Sequence, residues 1–202
     1  MTAAEKLHFS AEDFLAWESA QDIKHEFADG IAYAMAGAGE SHVLVSLNVA
    51  TLLRTHLRGT PCRTFISDMK LKVEAADAFF YPDVFVTCAP EDAARKDYKT
   101  SPILVIEVLS PSTAAYDRGQ KFATYRRLTS LQEYALIDPD RYSVDVFRKD
   151  ATGHWVLYPF GLGEEVELAS VGLKVPIAQL YEDVLPTQET STQACAPLEP
   201  LT

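Results

Sequence analysis

No apolar run in this chain approaches the roughly 20 residues needed to span a bilayer as a helix. Positive charge is also scarce. Against 29 Asp and Glu stand 18 Lys and Arg, a formal net charge of −11. That balance argues against a broad basic surface for nucleic acid, whose phosphates are normally met by Lys and Arg. Cysteine is rare: Cys62, Cys88 and Cys195 are far apart and form no CxxC pair, which argues against a cysteine zinc site and suits a reducing cytoplasm. The five histidines show no HExxH spacing. GxSxG, Walker and GxGxxG motifs are all missing, and Gly37-Ala38-Gly39 is too short and generic for a phosphate loop. The N-terminus has no basic region followed by an apolar one, so no secretory signal is expected there.

What remains is a chain of 202 residues, 48% hydrophobic, of a size for one domain with a substantial core. Ser10 with Asp13 resembles a capping box, opening a short helix with Phe14, Leu15 and Trp17. Asp29-Gly30 between two short strand-like runs predicts a hairpin. Ser41 to Leu57 reads as a helix, with Val43, Leu47, Ala50 and Leu53/Arg54 at helical spacing. Strands are expected over Cys62 to Val73, Phe79 to Cys88 and Ile103 to Leu109, the last apolar enough to be central. A helix from about Tyr116 to Leu128 follows. Further strands are expected over Glu133 to Ile137, Ser143 to Arg148, His154 to Phe160 and Glu164 to Leu168. The order predicts an α/β or α+β layer, with helices against a mixed central sheet. Residues 1–185 form the expected single domain, and 186–202, rich in Thr, Gln, Ser and Pro, a flexible tail.

Two acids stand out. Glu107 interrupts an otherwise apolar strand, and Asp83 follows Tyr81-Pro82 at another. A buried carboxylate is costly unless it is paired or binds a cation. Two on consecutive core strands suit one Mg²⁺ or Mn²⁺, which takes one or two carboxylates plus waters and substrate phosphate. Lys121, on the next helix, is placed to orient a water and offset charge on a phosphorane. Its plainer alternative is a surface pair with Asp117 at i, i+4. Glu26 is a candidate third acid. His42, near a helix N-terminus, is a candidate for proton transfer or phosphate contact. Arg126 and Arg127, with Arg54 and Arg58 on another helix, are weak candidates for a local basic rim that meets substrate.

Together these segments resemble the Uma-two family, also called domain of unknown function 820, within the PD-(D/E)xK nuclease superfamily. The likeness runs from about Phe9 to Val184. It rests on Lys24 to Gly30, Ser41-His42, Tyr81 to Val84, Val105 to Thr113, Asp117 with Lys121 and Tyr125, Glu133-Tyr134 and Ile137 to Pro139. Its most specific part is Glu107-Val108-Leu109-Ser110-Pro111-Ser112-Thr113 followed by Asp117 and Lys121. The resemblance implies a restriction-endonuclease-like fold and a metal-dependent endonuclease acting on DNA. Asp83 then matches the first metal ligand, Glu107 the acid of (D/E)xK, and Glu26 an early acid that completes the metal site. The position two beyond Glu107 is Leu109, so Lys121 matches a lysine moved to the next helix. Asp117, Tyr125 and His42 fall in supporting positions.

Two other functions fit the same residues: a non-catalytic interaction or regulatory module, which the acidic pI favours, and a hydrolase of a smaller phosphodiester. A cytoplasmic protein without a membrane partner is expected under each. The sequence leaves a homodimer open.

Overall fold

The computed structural model describes residues 10–184. Helix α1 (Ala11–Glu18) opens on the expected capping box, with the Ser10 hydroxyl accepting from the Asp13 amide and the Asp13 carboxylate from the Ser10 amide. Strands β1 (His25–Ala28) and β2 (Ile31–Ala34) form the expected hairpin. Asp29 and Gly30 have φ of 53° and 76°, the left-handed pair that a two-residue turn of this kind requires.

Helix α2 (Glu40–His56) lies where the spacing placed it but turns a different face inward. Val45, Val49 and Leu53 are buried, while Val43 and Leu47 are 53% and 56% exposed. The helix carries apolar residues on two faces. The buried stripe is the one that Leu57 continues, and it packs on the β-branched strands below. Periodicity alone does not choose between two such stripes.

The two strands expected before residue 90 are each broken in two. Cys62 to Val73 becomes β3 (Arg63–Ile66) and β4 (Lys70–Val73), separated by a turn in which Ser67 has a φ of 22°. Phe79 to Cys88 becomes β5 (Ala78–Phe80) and β6 (Val84–Thr87), separated at Tyr81-Pro82-Asp83. Proline has no N–H for a ladder. Both breaks carry the chain from one sheet to another, so β3 and β6 pair in one sheet and β4 and β5 in the next.

After α3 (Pro90–Ala94) and β7 (Tyr98–Lys99) comes β8 (Pro102–Val108), buried along most of its length. Next are α4 (Ala114–Tyr116), a π-helical turn (Asp117–Lys121) and α5 (Phe122–Tyr125), running without interruption. This segment is the crossover that lets β8 pair in parallel with β9 (Glu133–Asp138). Strands β10 (Ser143–Lys149) and β11 (Trp155–Gly161) extend the sheet as antiparallel neighbours. The six-stranded order is β11-β10-β9-β8-β6-β3, and the five-stranded order is β2-β1-β5-β4-β7. A third, two-stranded sheet pairs β12 (Glu165–Leu168) with β13 (Leu173–Pro176).

The six-stranded sheet is covered on both faces, as the apolar composition of β8 implied. Val84, Val86, Leu104 and Ile106 face α2 and the β12–β13 pair. Phe85 and Val105 face the five-stranded sheet and α5, with Phe80, Tyr125 and Tyr134. Each fully buried Leu, Ile, Val or Phe contributes about 1.5–3 kcal/mol relative to exposure. The result is a mixed α+β architecture, as expected.

Cys62 and Cys88 are joined as a disulfide, one step beyond the Arg63–Thr87 cross-strand pair. The sequence suggested separate thiols, because 26 residues divide them. The β3–β6 pairing brings them opposite each other. Cys195 and the expected tail, 186–202, lie outside the described residues. Among the described residues no helix is long and apolar enough to cross a membrane.

Candidate functional site

The break at Pro82 starts β6 at Val84 and sets Asp83 on the seam between the two large sheets. Asp83 and Phe85 alternate onto one face of β6, and Val105 and Glu107 onto the same face of β8. Val84 pairs with Ile106, so the two acids end up side by side. The Asp83 amide is 3.4 Å from Glu107 Oε2, and the Val108 amide donates to Asp83 Oδ2 at 2.8 Å. His42, on the first turns of α2, brings Nε2 within 3.3 Å of the same Asp83 oxygen.

Lys121 comes in from the crossover helix. The wider π turn carries both Asp117 and Lys121 on its inner side, each buried. Such turns are often found at functional sites. Lys121 Nζ lies 2.9 Å from Glu26 Oε1, 3.0 Å from Glu107 Oε1 and 3.8 Å from Asp117 Oδ1. Its side chain is 7% exposed, so this is a buried ion cluster and not the surface helix pair of the plainer alternative. Tyr125 donates its hydroxyl to Glu107 Oε1 at 2.9 Å. The Tyr81 amide donates to Glu26 Oε1, which anchors Glu26 to the seam.

Burial pushes the Glu107 carboxyl well above its ordinary range. Lys121 pulls it back down, but the charges of Asp83, Asp117 and Glu26 add to the rise. Burial likewise raises Asp117. For Lys121 burial works toward loss of the proton, and Glu107, Glu26 and Asp117 outweigh it, holding the ammonium well above its ordinary pKa. Burial would lower His42, yet the hydrogen bond and charge of Asp83 leave it raised. Burial is also the first cause of the raised Tyr125 hydroxyl, with the Glu107 charge adding to it.

Asp83, Glu107, Lys121, Glu26, His42, Asp117 and Tyr125 thus converge on one locality. Arg126 and Arg127 do not join it. Both are exposed, and Arg126 lies over the Phe122 ring. Sequence reasoning missed Glu18. This buried carboxylate accepts the His25 amide at 2.9 Å and the Tyr81 hydroxyl at 2.9 Å, fixing the strand that carries Glu26. The signal that could have found it was its spacing: Ala11, Phe14 and Glu18 form one inward stripe on α1.

Four carboxylates against one ammonium and one imidazole leave surplus negative charge in a largely buried place. Among the described residues no three His, Cys, Asp or Glu side chains are grouped so as to hold a metal by themselves. Mg²⁺ needs only one or two carboxylates and keeps several waters. Asp83 and Glu107, adjacent oxygen donors with that surplus charge around them, fit this demand. Glu26 is turned to the ammonium and the Tyr81 amide.

The fold is nuclease-like. It matches the crystal structure of a putative nuclease belonging to DUF820 from Anabaena variabilis ATCC 29413 with a TM-score of 0.73, over 88% of this chain and 99% of that one, at 18% identity. Residues 11–178 match the model of the Uma2 family, described as putative restriction endonuclease, and the chain belongs to that family. Two proteins of Synechocystis sp. (strain ATCC 27184 / PCC 6803 / Kazusa) are similar along most of their length. The uncharacterized protein slr1290 is 39% identical, covering 85% of this chain and 90% of its own. The uncharacterized protein sll1609 is 33% identical, covering 87% and 99%.

Proposed function

We propose that the protein is a Mg²⁺- or Mn²⁺-dependent endonuclease that hydrolyses phosphodiester bonds in DNA, with Asp83 and Glu107 as the metal-binding pair. The observation that carries the reading is the buried Lys121 ammonium, 3.0 Å from Glu107 and 2.9 Å from Glu26, beside Asp83. A core that needed only stability would gain little from such a cluster, since apolar replacements of buried ion sets are often neutral or stabilising.

A divalent ion on Asp83 and Glu107 would supply charge to offset the phosphate and lower the pKa of an attacking water. The chain's own residues do the rest. Lys121 stays protonated at neutral pH, so it does not take a proton from the water. It donates, orienting the nucleophile and offsetting charge on the phosphorane. Glu26 and Asp117 keep the ammonium charged and in place. Tyr125 fixes one Glu107 oxygen, leaving Oε2 toward Asp83. His42 and the Val108 amide hold Asp83 Oδ2. As water oxygen bonds to phosphorus, the bond to the 3′ oxygen breaks. The water's surplus proton passes to solvent, and the leaving oxygen gains one from solvent.

The test is plasmid nicking in Mg²⁺ or Mn²⁺ by the wild type, Asp83→Asn, Glu107→Gln and Lys121→Ala. Metal-dependent nicking is expected of the wild type alone, with each variant reduced at least about a hundredfold, the scale of losing a key transition-state donor. Cleavage that survives Glu107→Gln, or none on single-stranded, duplex or branched DNA, would refute the reading.

A further inference from the structure

The strongest departure from the acidic character of this chain lies away from the carboxylates. A groove of about 630 Å³ runs between the C-terminal end of α2, the edge strand β3 and the segment from α3 to β7. Arg54, Arg58, Arg63, Arg95, Lys96 and Lys99 line it, and no Asp or Glu does. These six are a third of the 18 Lys and Arg in the chain, gathered on one concavity of a protein with a net charge of −11.

Their partners are as informative as their number. Among the described residues Arg54, Arg58, Arg63 and Lys96 have no carboxylate within 4.0 Å. Arg95 has one carboxylate in reach, the exposed Glu74 at 4.0 Å, and also donates to the Thr100 hydroxyl at 3.2 Å. The Lys99 ammonium donates to the carbonyls of Asp92 and Arg95. Asp92 is turned inward, its carboxylate taken up by Thr87 and the Thr100 and Ser101 amides. Burial lowers the Lys99 pKa, and the charges of Arg63 and Arg95 push the same way, against Asp92 and Asp97. Cations at a helix C-terminus complement its dipole. That accounts for Arg54 and Arg58, but not for four more from β3 and the α3–β7 segment.

The groove also leads to the carboxylates. Its lining includes Leu57, Phe65 and Met69. Phe65 pairs across β3 and β6 with Phe85, whose side chain shares a face with Asp83. At its far end β3 reaches Ser67, whose amide donates to the Asp83 carbonyl. From Asp83 to Thr87, opposite Arg63, is four residues of strand, about 13 Å at ~3.3 Å per residue. At the ~3.4 Å rise per nucleotide of one strand in a duplex, that is about four nucleotides, and fewer for a more extended single strand. Exposed cations beside apolar lining residues and an aromatic ring suit a sugar-phosphate backbone with its bases turned inward.

We propose that this groove binds the nucleic-acid strand flanking the reacting phosphate, within about four nucleotides of Asp83 and Glu107. The inference rests on the nuclease reading above and gives it a substrate path. It accounts for how an acidic protein holds a polyanion, by gathering a third of its Lys and Arg along one channel.

The test uses the full chain with Ca²⁺, a fluorescein-labelled 20-nucleotide single-stranded DNA and anisotropy across a salt series. Arg58→Glu/Arg63→Glu is compared with Arg126→Glu/Arg127→Glu, which changes net charge equally from exposed positions outside the groove. Melting curves check that both remain folded. The groove pair is expected to weaken binding at least tenfold. It should also flatten the slope of log K against log salt by about 1.4, at ~0.7 for each phosphate that is no longer neutralised. The Arg126/Arg127 pair is expected to have a much smaller effect. Equal weakening by both pairs, or no binding by the wild type at low salt, would overturn the proposal. The two readings fail separately. Groove-dependent binding without any nicking would retain the groove and refute the nuclease. Nicking abolished by Glu107→Gln but indifferent to Arg58→Glu/Arg63→Glu would retain the nuclease and refute the groove.

Discussion

Replacing Lys121 with Met removes the one cation at the centre of Glu26, Glu107 and Asp117 while keeping most of the side chain's volume. Read as an exposed i, i+4 pair, the residue would contribute about 0.3–0.5 kcal/mol. The buried cluster gives a different magnitude. Two carboxylate oxygens lie within 3.0 Å of Nζ and a third within 3.8 Å. Removing one partner of a buried ion set costs about 3–5 kcal/mol. Glu107 limits the loss, because a carboxyl already raised by burial takes up a proton readily once the ammonium is gone. About 3 kcal/mol at pH 8 is therefore expected, and less at pH 5.5, where protonation relieves the repulsion. At roughly 3 °C per kcal/mol for a chain of this size, the melting temperature should fall by about 9 °C at pH 8. Urea denaturation followed by circular dichroism, in EDTA at both pH values, measures this. Glu107→Gln/Lys121→Met should be less destabilised than Lys121→Met alone, since it removes one of the stranded charges. A loss below about 1 kcal/mol at pH 8, the range of exposed pairs, or a loss that does not change with pH, would refute the picture of a buried, charge-compensating lysine.

Three further outcomes are expected. Mg²⁺ or Mn²⁺ should raise the melting temperature by linkage, by about 2.7 kcal/mol of stability at a hundredfold excess over Kd, and Asp83→Asn or Glu107→Gln should remove the rise. A metal response that survives both would place the ion elsewhere. In metal-free protein, His42 stabilises fully below its unfolded pKa near 6.5, and that contribution is lost as pH rises through its higher folded value. His42→Gln should flatten this part of the stability profile, and an unchanged slope would mean that the Asp83 contact does not persist in solution. Glu133, with no exposed side-chain surface, accepts from Arg148 Nε at 2.7 Å, the Ala169 amide at 3.1 Å and the Ser170 amide at 2.7 Å. Glu133→Ala should therefore cost about 3–5 kcal/mol in chemical denaturation. A loss under about 1 kcal/mol would mean that these donors find other partners.

Glu107 was legible because it is an acid in a run of aliphatic residues, a pattern that composition alone makes expensive. The Asp29-Gly30 hairpin and the Ser10 capping box were legible because a few adjacent residues determine them. The breaks at Ser67 and Pro82 were not. Strand-forming residues flank both breaks, and only the pairing of β3 with β6 and of β4 with β5 shows that the chain changes sheet. The inward face of α2 depends on which stripe meets Val84 and Ile106, a tertiary fact. Lys121 could be named from its place on the helix after Glu107 and from the family resemblance, but its burial depends on a π turn that no local signal announced. Arg54 and Arg58 were visible as a pair. Arg63, Arg95, Lys96 and Lys99 are scattered along the chain, and they become a groove only when β3 lies beside the α3–β7 segment. Cys62 and Cys88 were likewise invisible as partners until their strands paired.

The crossing at Tyr81-Pro82-Asp83 bears on how such a protein can diverge. Binding residues on long loops can be lengthened or exchanged without disturbing the scaffold. Asp83 has no such freedom. The three residues between β5 and β6 carry it from one sheet to the other, and Glu26 is tied to the same three through the Tyr81 amide. An insertion there would shift the register of β6 against β8 and move one carboxylate away from the other. New specificity is thus confined to surfaces that do not share this crossing. The exposed residues at the Arg54–Arg58 end of α2 and in the α3–β7 segment are free to change while the carboxylates stay where they are.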